Sequence, residues 1–253
     1  MAVINWLSPL NFFTTQNDTL RRRQDGTGGW LLETPEFEAW LAGTDRILWC
    51  SGLRKSTLIF EKIKLTSFQL EQAKPFLRII AYYIALLELT ISRSAIIDKL
   101  QTQLSPPNVG LAFAYCDYKE RDSQTLVNLI ASLVQQLVQC YNTVPDEVRT
   151  AYTKYLSRNI RPGDEEFSKI LQSLIAKFSH VYVVVDALDE CGQKTRNKFI
   201  ERLQESPQNL HLLCTSRHLG DIQEAFSEAS HLEIRASDAE CRAIPRGTDL
   251  AGA

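Results

Sequence analysis

The chain has 253 residues, 44% of them hydrophobic, enough to bury one substantial core, so one main domain is the expectation. With 28 basic and 30 acidic residues and a net charge of -2, no overall field draws it to nucleic acid or to an anionic membrane, and neither is an expected partner. Six cysteines stand far apart, with no CxxC pair and no His spaced to complete a zinc site, which points to buried free thiols in a reducing compartment.

The N-terminal MAVINWLSPLNFF has no basic region ahead of a long apolar core, which argues against secretion and for a cytoplasmic protein. TQNDTLRRRQ (15–24) is helix-compatible and ends at the breaker run DGTGG (25–29); Arg21 to Arg23 read as a solvated face. In TPEFEAWLAG, Thr34 can cap a helix and Pro35 suits its first turn. Phe37, Trp40 and Leu41 form an apolar face there, and Gly43 stops the helix. These helices make a lead-in over residues 1–44.

From there strands and helices take turns through residue 237, ahead of an irregular tail at 238–253. RILWC (46–50) and VGLAFAYCDY (109–118) read as strands, and SQTLVNLIASLVQQLVQC (123–140) as an amphipathic helix capped by Ser123. PDEVRTAYTKYL is a Pro-started helix, and GDEEFSKILQSLIAKF (163–178) sets Phe167, Ile170, Leu171, Leu174 and Ile175 on one face. Val181 to Val185 show no alternation, as a parallel strand covered on both faces requires. The helix TRNKFIERLQ (195–204), the strand NLHLLCTSR (209–217), the helix HLGDIQEAF and the strand HLEIRA (231–236) complete the series. The expected fold is α/β: a three-layer, five-stranded parallel sheet with helices on both faces.

One segment departs from this alternation. FLRIIAYYIALLELTI (76–91) is strongly apolar but short for a membrane span and is interrupted by Arg78 and Glu88, so a buried or interfacial helix is expected.

In parallel α/β sheets the ligand sits at the carboxyl ends of the strands. Asp186, Asp189 and Glu190 follow the VYVVV strand, offering one carboxylate to hold Mg²⁺ and others to orient or deprotonate a water. LHLLCTSR ends in Thr215, Ser216 and Arg217, where an Arg can respond to a γ-phosphate.

The stretches GTGGWLLETPEFEAWL, ILWCSG, VGLAFAYCDYKERDSQT, VYVVVDALDEC and LHLLCTSR, in that order, resemble the NACHT-type (STAND) NTPases that fungi carry near the start of large ankyrin- or WD-repeat proteins, the nephrocystin-like N-terminal domains. The resemblance covers residues 5–50 and 92–236. It implies an ASCE-type P-loop fold, a switch controlled by ATP or GTP with Mg²⁺, a role in self/non-self signalling, and protein partners or self-association. On this resemblance Asp186 matches the metal-holding acid, Asp189 and Glu190 the water-polarising acids, and Arg217 the sensor position.

The phosphate loop breaks the pattern. A Walker A loop, GxxxxGK[ST], must curl round the phosphates before its Lys arrives. Here Gly52 stands three positions before Lys55 and Ser56, where six are required, and the second Gly is absent. SRSAIIDKLQTQL (92–104) resembles the helix after that loop, a register that puts the Walker Thr near Thr90 and makes Lys55 and Ser56 coincidental. Segment 53–91 then replaces the loop, as a real insertion or as a translated intervening sequence. Two functions are expected from different classes: a nucleotide-binding switch impaired in binding and hydrolysis, or a non-catalytic remnant acting through protein contacts. A membrane-surface anchor built on 76–91 is a third.

Overall fold

The structure is a computed structural model that describes residues 2–21, 29–52, 96–102, 108–141 and 143–234. Lys55, Ser56, Thr90, the apolar stretch 76–91, Cys241 and the tail 238–253 lie outside the described residues.

Five apolar runs become five strands: β1 (Ile47–Gly52), β2 (Val109–Tyr115), β3 (His180–Asp186), β4 (Leu210–Arg217) and β5 (Ser230–Ile234). All pair in parallel, in the order β2-β3-β4-β1-β5. One strand, β4, is thus inserted between β1 and the acid-bearing β3. β1 is longer than its apolar run because it has a partner on each side: Gly52 is in register with Arg217 of β4 and Ile234 of β5. Val181 to Val185 are buried throughout, as a strand covered on both faces must be.

Three helices precede the sheet: α1 (Ala2–Leu7), α2 (Phe12–Arg21) and α3 (Pro35–Leu41). Thr34 caps α3 by accepting from the Phe37 N–H, and Pro35 occupies its first turn. Gly43 ends the helix in the left-handed region at φ 81, where an added Cβ would also meet the His211 ring at 3.2 Å. α2 and α3 cover the sheet face that carries Phe113, Tyr115 and Tyr182: Phe13 packs edge-on to Phe113, and Trp40 edge-on to Tyr182. The helical residues 96–102 bury Ile96, Ile97 and Leu100, with the Lys99 ammonium 5.7 Å from the Phe37 ring centroid. α1, which the sequence pattern did not announce, packs on the next helix, where Gln135 donates to the Ile4 carbonyl at 2.7 Å.

That helix, α4 (Leu126–Gln139), is capped by Thr125, not by the expected Ser123, whose hydroxyl instead bonds the Glu120 carbonyl. α4 presses on β2 at Gly110, where a Cβ would lie 2.9 Å from Leu137, on the face opposite Phe113. Helices therefore stand on both faces, as expected. α5 (Asp146–Leu156), α6 (Asp164–Ile175), α7 (Gln193–Gln204) and α8 (Gly220–Ala225) complete the described helices.

Among the described residues β2 is an edge strand, and its outward backbone is nonetheless paired. Gln136 accepts from the Phe113 N–H at 3.0 Å and donates to its carbonyl at 2.8 Å, while Gln124 donates to the Tyr115 carbonyl at 2.8 Å. One turn beyond Gln136, the Cys140 thiol donates to the Gln136 carbonyl at 3.6 Å.

Candidate functional site

The strand ends bring Asp186, Asp189, Glu190, Thr215, Arg217 and Gly52 to one edge of the sheet. The turn after β3 sets their geometry. Ala187 takes a left-handed conformation, φ 50 and ψ 44, which an L side chain adopts at a cost. It reverses the chain into a 3₁₀ turn, Leu188–Glu190, closed by the Glu190 N–H on the Ala187 carbonyl at 2.8 Å. The reversal is held from β4, because the Thr215 hydroxyl accepts from the Ala187 N–H at 3.0 Å and donates to Asp186 Oδ1 at 2.6 Å. Asp186 and Thr215 are both buried. One β4 hydroxyl thus fixes both the first acid and the strained residue after it.

The three acids are not equivalent. Asp189 is 8% exposed and accepts at one oxygen from the Arg217 backbone N–H, 2.9 Å, and at the other from the Arg217 guanidinium. Its carboxylate is a bridge between β3 and β4. Glu190 faces the β2 side: its Oε2 accepts from the Tyr118 N–H at 3.2 Å, and its carbonyl from Arg121 Nε at 2.9 Å. Burial raises the Glu190 pKa above the ordinary carboxylate range, and the charges of Asp189, Asp117 and Asp186 add to this against the Tyr118 N–H. A half-buried carboxylate with a raised pKa can exchange a proton with water.

Asp186 and the Thr215 hydroxyl are hard oxygen donors of the kind Mg²⁺ takes. Among the described residues no cluster of three or more His, Cys, Asp or Glu could hold a metal unaided.

The β1 side has different chemistry. Gly52 is the last strand residue. Ser51, buried beside it, meets His231 Nε2 at 2.7 Å, and Trp49 Nε1 donates to the Ser216 hydroxyl at 2.8 Å. Cys50 is fully buried, and burial with the nearby Glu36 charge pushes its thiol up to about 12, so it is an inert packing thiol. Cys116, Cys191 and Cys214 are buried and free as expected, whereas Cys140 is exposed. No helix among the described residues is long and apolar enough to cross a membrane.

Sequence reasoning found the strand-end residues but not the contacts of Tyr118 and Arg121 with Glu190. Nothing in KERD spacing announces them; they follow from β2 lying beside β3.

Residues 90–217, half of the chain, match the family described as nephrocystin 3, N-terminal. The chain belongs to this family. The nephrocystin 3 N-terminal match takes in β2, β3 and β4 with Asp186, Asp189, Glu190 and Arg217, opens at Thr90, and includes neither β1 nor residues 53–89. A comparison with curated proteins finds no match. Among solved structures, a chain of Drosophila ORC bound to AT-rich DNA and Cdc6 is 11% identical with a TM-score of 0.37, over 87% of this chain and 56% of its own length. C. elegans PCH-2 is 13% identical with a TM-score of 0.23, over 62% of this chain and 43% of its own. This chain spans about half the length of the solved chains it matches.

Proposed function

We propose that this chain is a NACHT-type nucleotide-binding signalling module, taking ATP or GTP with Mg²⁺ at the carboxyl edge of its sheet, and impaired in binding and hydrolysis. The observation that carries this reading is the convergence of Asp186, Glu190, Thr215 and Arg217 on one edge in the ASCE strand order. Asp186 with Thr215 would hold the metal, which would supply charge neutralisation for the phosphates when bound. Glu190 orients or deprotonates the attacking water, with its raised pKa as support. Arg217 is the sensor: its backbone and guanidinium are tied to Asp189, so a change at the end of β4 is felt at once in the acid turn. Asp189, assigned with Glu190 to water polarisation by resemblance, acts in this reading as the partner that sets Arg217.

The impairment follows from the loop. The spacing Gly52–Lys55–Ser56 is too short to present successive backbone N–H groups to phosphate, and these groups supply much of the electrostatic stabilisation of phosphoryl transfer. The family match opening at Thr90 supports placing the loop's other end there. The same spacing favours a second reading, a non-catalytic remnant that acts through protein contacts or self-association.

Equilibrium binding of labelled ATP and GTP, with and without Mg²⁺, decides between them. Saturable, Mg²⁺-dependent binding that Asp186→Ala abolishes is expected for the first reading; no saturable binding by the unmutated chain leaves the second.

A further inference from the structure

We propose that His218 and His231, stacked beside Trp49 next to the end of β1, form a seat for a purine base. The inference rests on the nucleotide reading and deepens it by assigning the base of the nucleoside triphosphate to named side chains.

Trp49 is 2% exposed, and its indole N–H is committed to the Ser216 hydroxyl at 2.8 Å, so the ring plane is fixed. His231, its register partner on β5, stacks on it with centroids 4.5 Å apart and planes 22° apart. His218, immediately after β4, stacks at 5.6 Å and 28°. Phe226, also buried, joins at 6.1 Å and 29°. Four rings, from β1, from β5, from the residue after β4 and from the residue after α8, form one ladder. Its indole and phenyl members are buried and its two imidazoles are exposed. The ladder therefore shows solvent its polar, flat end.

Such a surface suits a nucleobase, because every base has a π face and stacking on an aromatic side chain tolerates sequence while contributing strongly to affinity. The two imidazole centroids are 6.3 Å apart with planes inclined at 49°, so the rings lie side by side and offer a fused two-ring base two neighbouring faces to lie across. Position agrees with chemistry. His231 is bonded through Nε2 to Ser51, the neighbour of Gly52, so a nucleotide with phosphates at the end of β1 has its base beside this pair. Burial and the adjacent His218 lower the His231 pKa, which keeps the ring uncharged at neutral pH and free to stack without drawing phosphate to itself.

The test is calorimetric titration of the full chain and of His218→Ala, His231→Ala and His218→Phe with ATP, GTP, CTP and inorganic tripolyphosphate, each with Mg²⁺. Each alanine variant is expected to bind ATP and GTP about tenfold more weakly, with tripolyphosphate unchanged, and His218→Phe to keep its nucleotide affinity. Alanine variants that bind the nucleotides normally, or that lose tripolyphosphate in parallel, overturn the seat. CTP bound as tightly as ATP overturns its assignment to purines. Should the unmutated chain bind no triphosphate at all, the nucleotide reading fails, and titration with adenosine and guanosine then judges the seat alone. Nucleoside binding lost in His218→Ala supports it, and no nucleoside binding by the unmutated chain overturns it.

Discussion

The two halves of the sheet's carboxyl edge are built differently. At β3 and β4 the candidate residues are bound to one another: Thr215 to Asp186 and Ala187, Asp189 to Arg217, and Glu190 to the chain after β2. At β1 the strand ends at Gly52, and the spacing from Gly52 to Lys55 and Ser56 is not that of a phosphate loop. The contrast separates two reasons for a residue to be present. Asp186, Asp189 and Thr215 join neighbouring strands, so folding uses them beside any part they take in binding nucleotide. A phosphate loop has no such second task; its backbone N–H groups serve the ligand only.

The largest effect that would sharpen this contrast is expected for Asp189→Ala. It strips the part-buried backbone N–H and the guanidinium of Arg217 of their acceptor, and a loss of about 2 kcal/mol is expected, since the guanidinium is itself half exposed. Urea denaturation measures it, and an unchanged midpoint would break the claim that Asp189 is a structural bridge. Ala187→Gly should act in the opposite direction, gaining roughly 0.5–1 kcal/mol as left-handed strain is relieved against the greater entropy of glycine in the unfolded chain. Thermal unfolding reads this as a raised Tm.

Glu190→Gln probes the electrostatic load on the same half. The folded state holds a proton on Glu190 more tightly than the unfolded chain does, so burial of the charge costs stability once pH exceeds the unfolded value. That cost is absent below about pH 4, where both states are protonated, and grows as pH rises through the elevated folded value. The variant should therefore be more stable at pH 7, by on the order of 0.5 kcal/mol, and indistinguishable at low pH. Equal effects at both pH values would show that Glu190 is not under this strain. The smallest effect is expected on the β1 side: Lys55→Ala should change neither stability nor nucleotide affinity, whereas a large affinity loss would restore Lys55 as a phosphate ligand.

How much of this was legible depended on whether the cause was local. The unbroken run Val181 to Val185 announced a central strand because burial on both faces needs no other residue to explain it. Thr34, Pro35 and Gly43 marked both ends of α3 because capping and a left-handed stop act within a few residues. Ser123 failed as a cap because the turn before α4 uses its hydroxyl on Glu120, which leaves Thr125 to begin the helix. The inequality of the acids was invisible for a different reason. Asp189 and Glu190 are neighbours in sequence, yet one is claimed by β4 and the other by the chain after β2, and only the strand order brings those segments to either side.

The side chains of Gln136 and Gln124 on the outer rim of β2 also limit how this molecule can meet others. A sixth strand added there would have to displace amides already occupying the backbone at Phe113 and Tyr115. Main-chain pairing with another strand, whether from another protein or from a second copy, is thereby opposed at β2 by the molecule's own side chains.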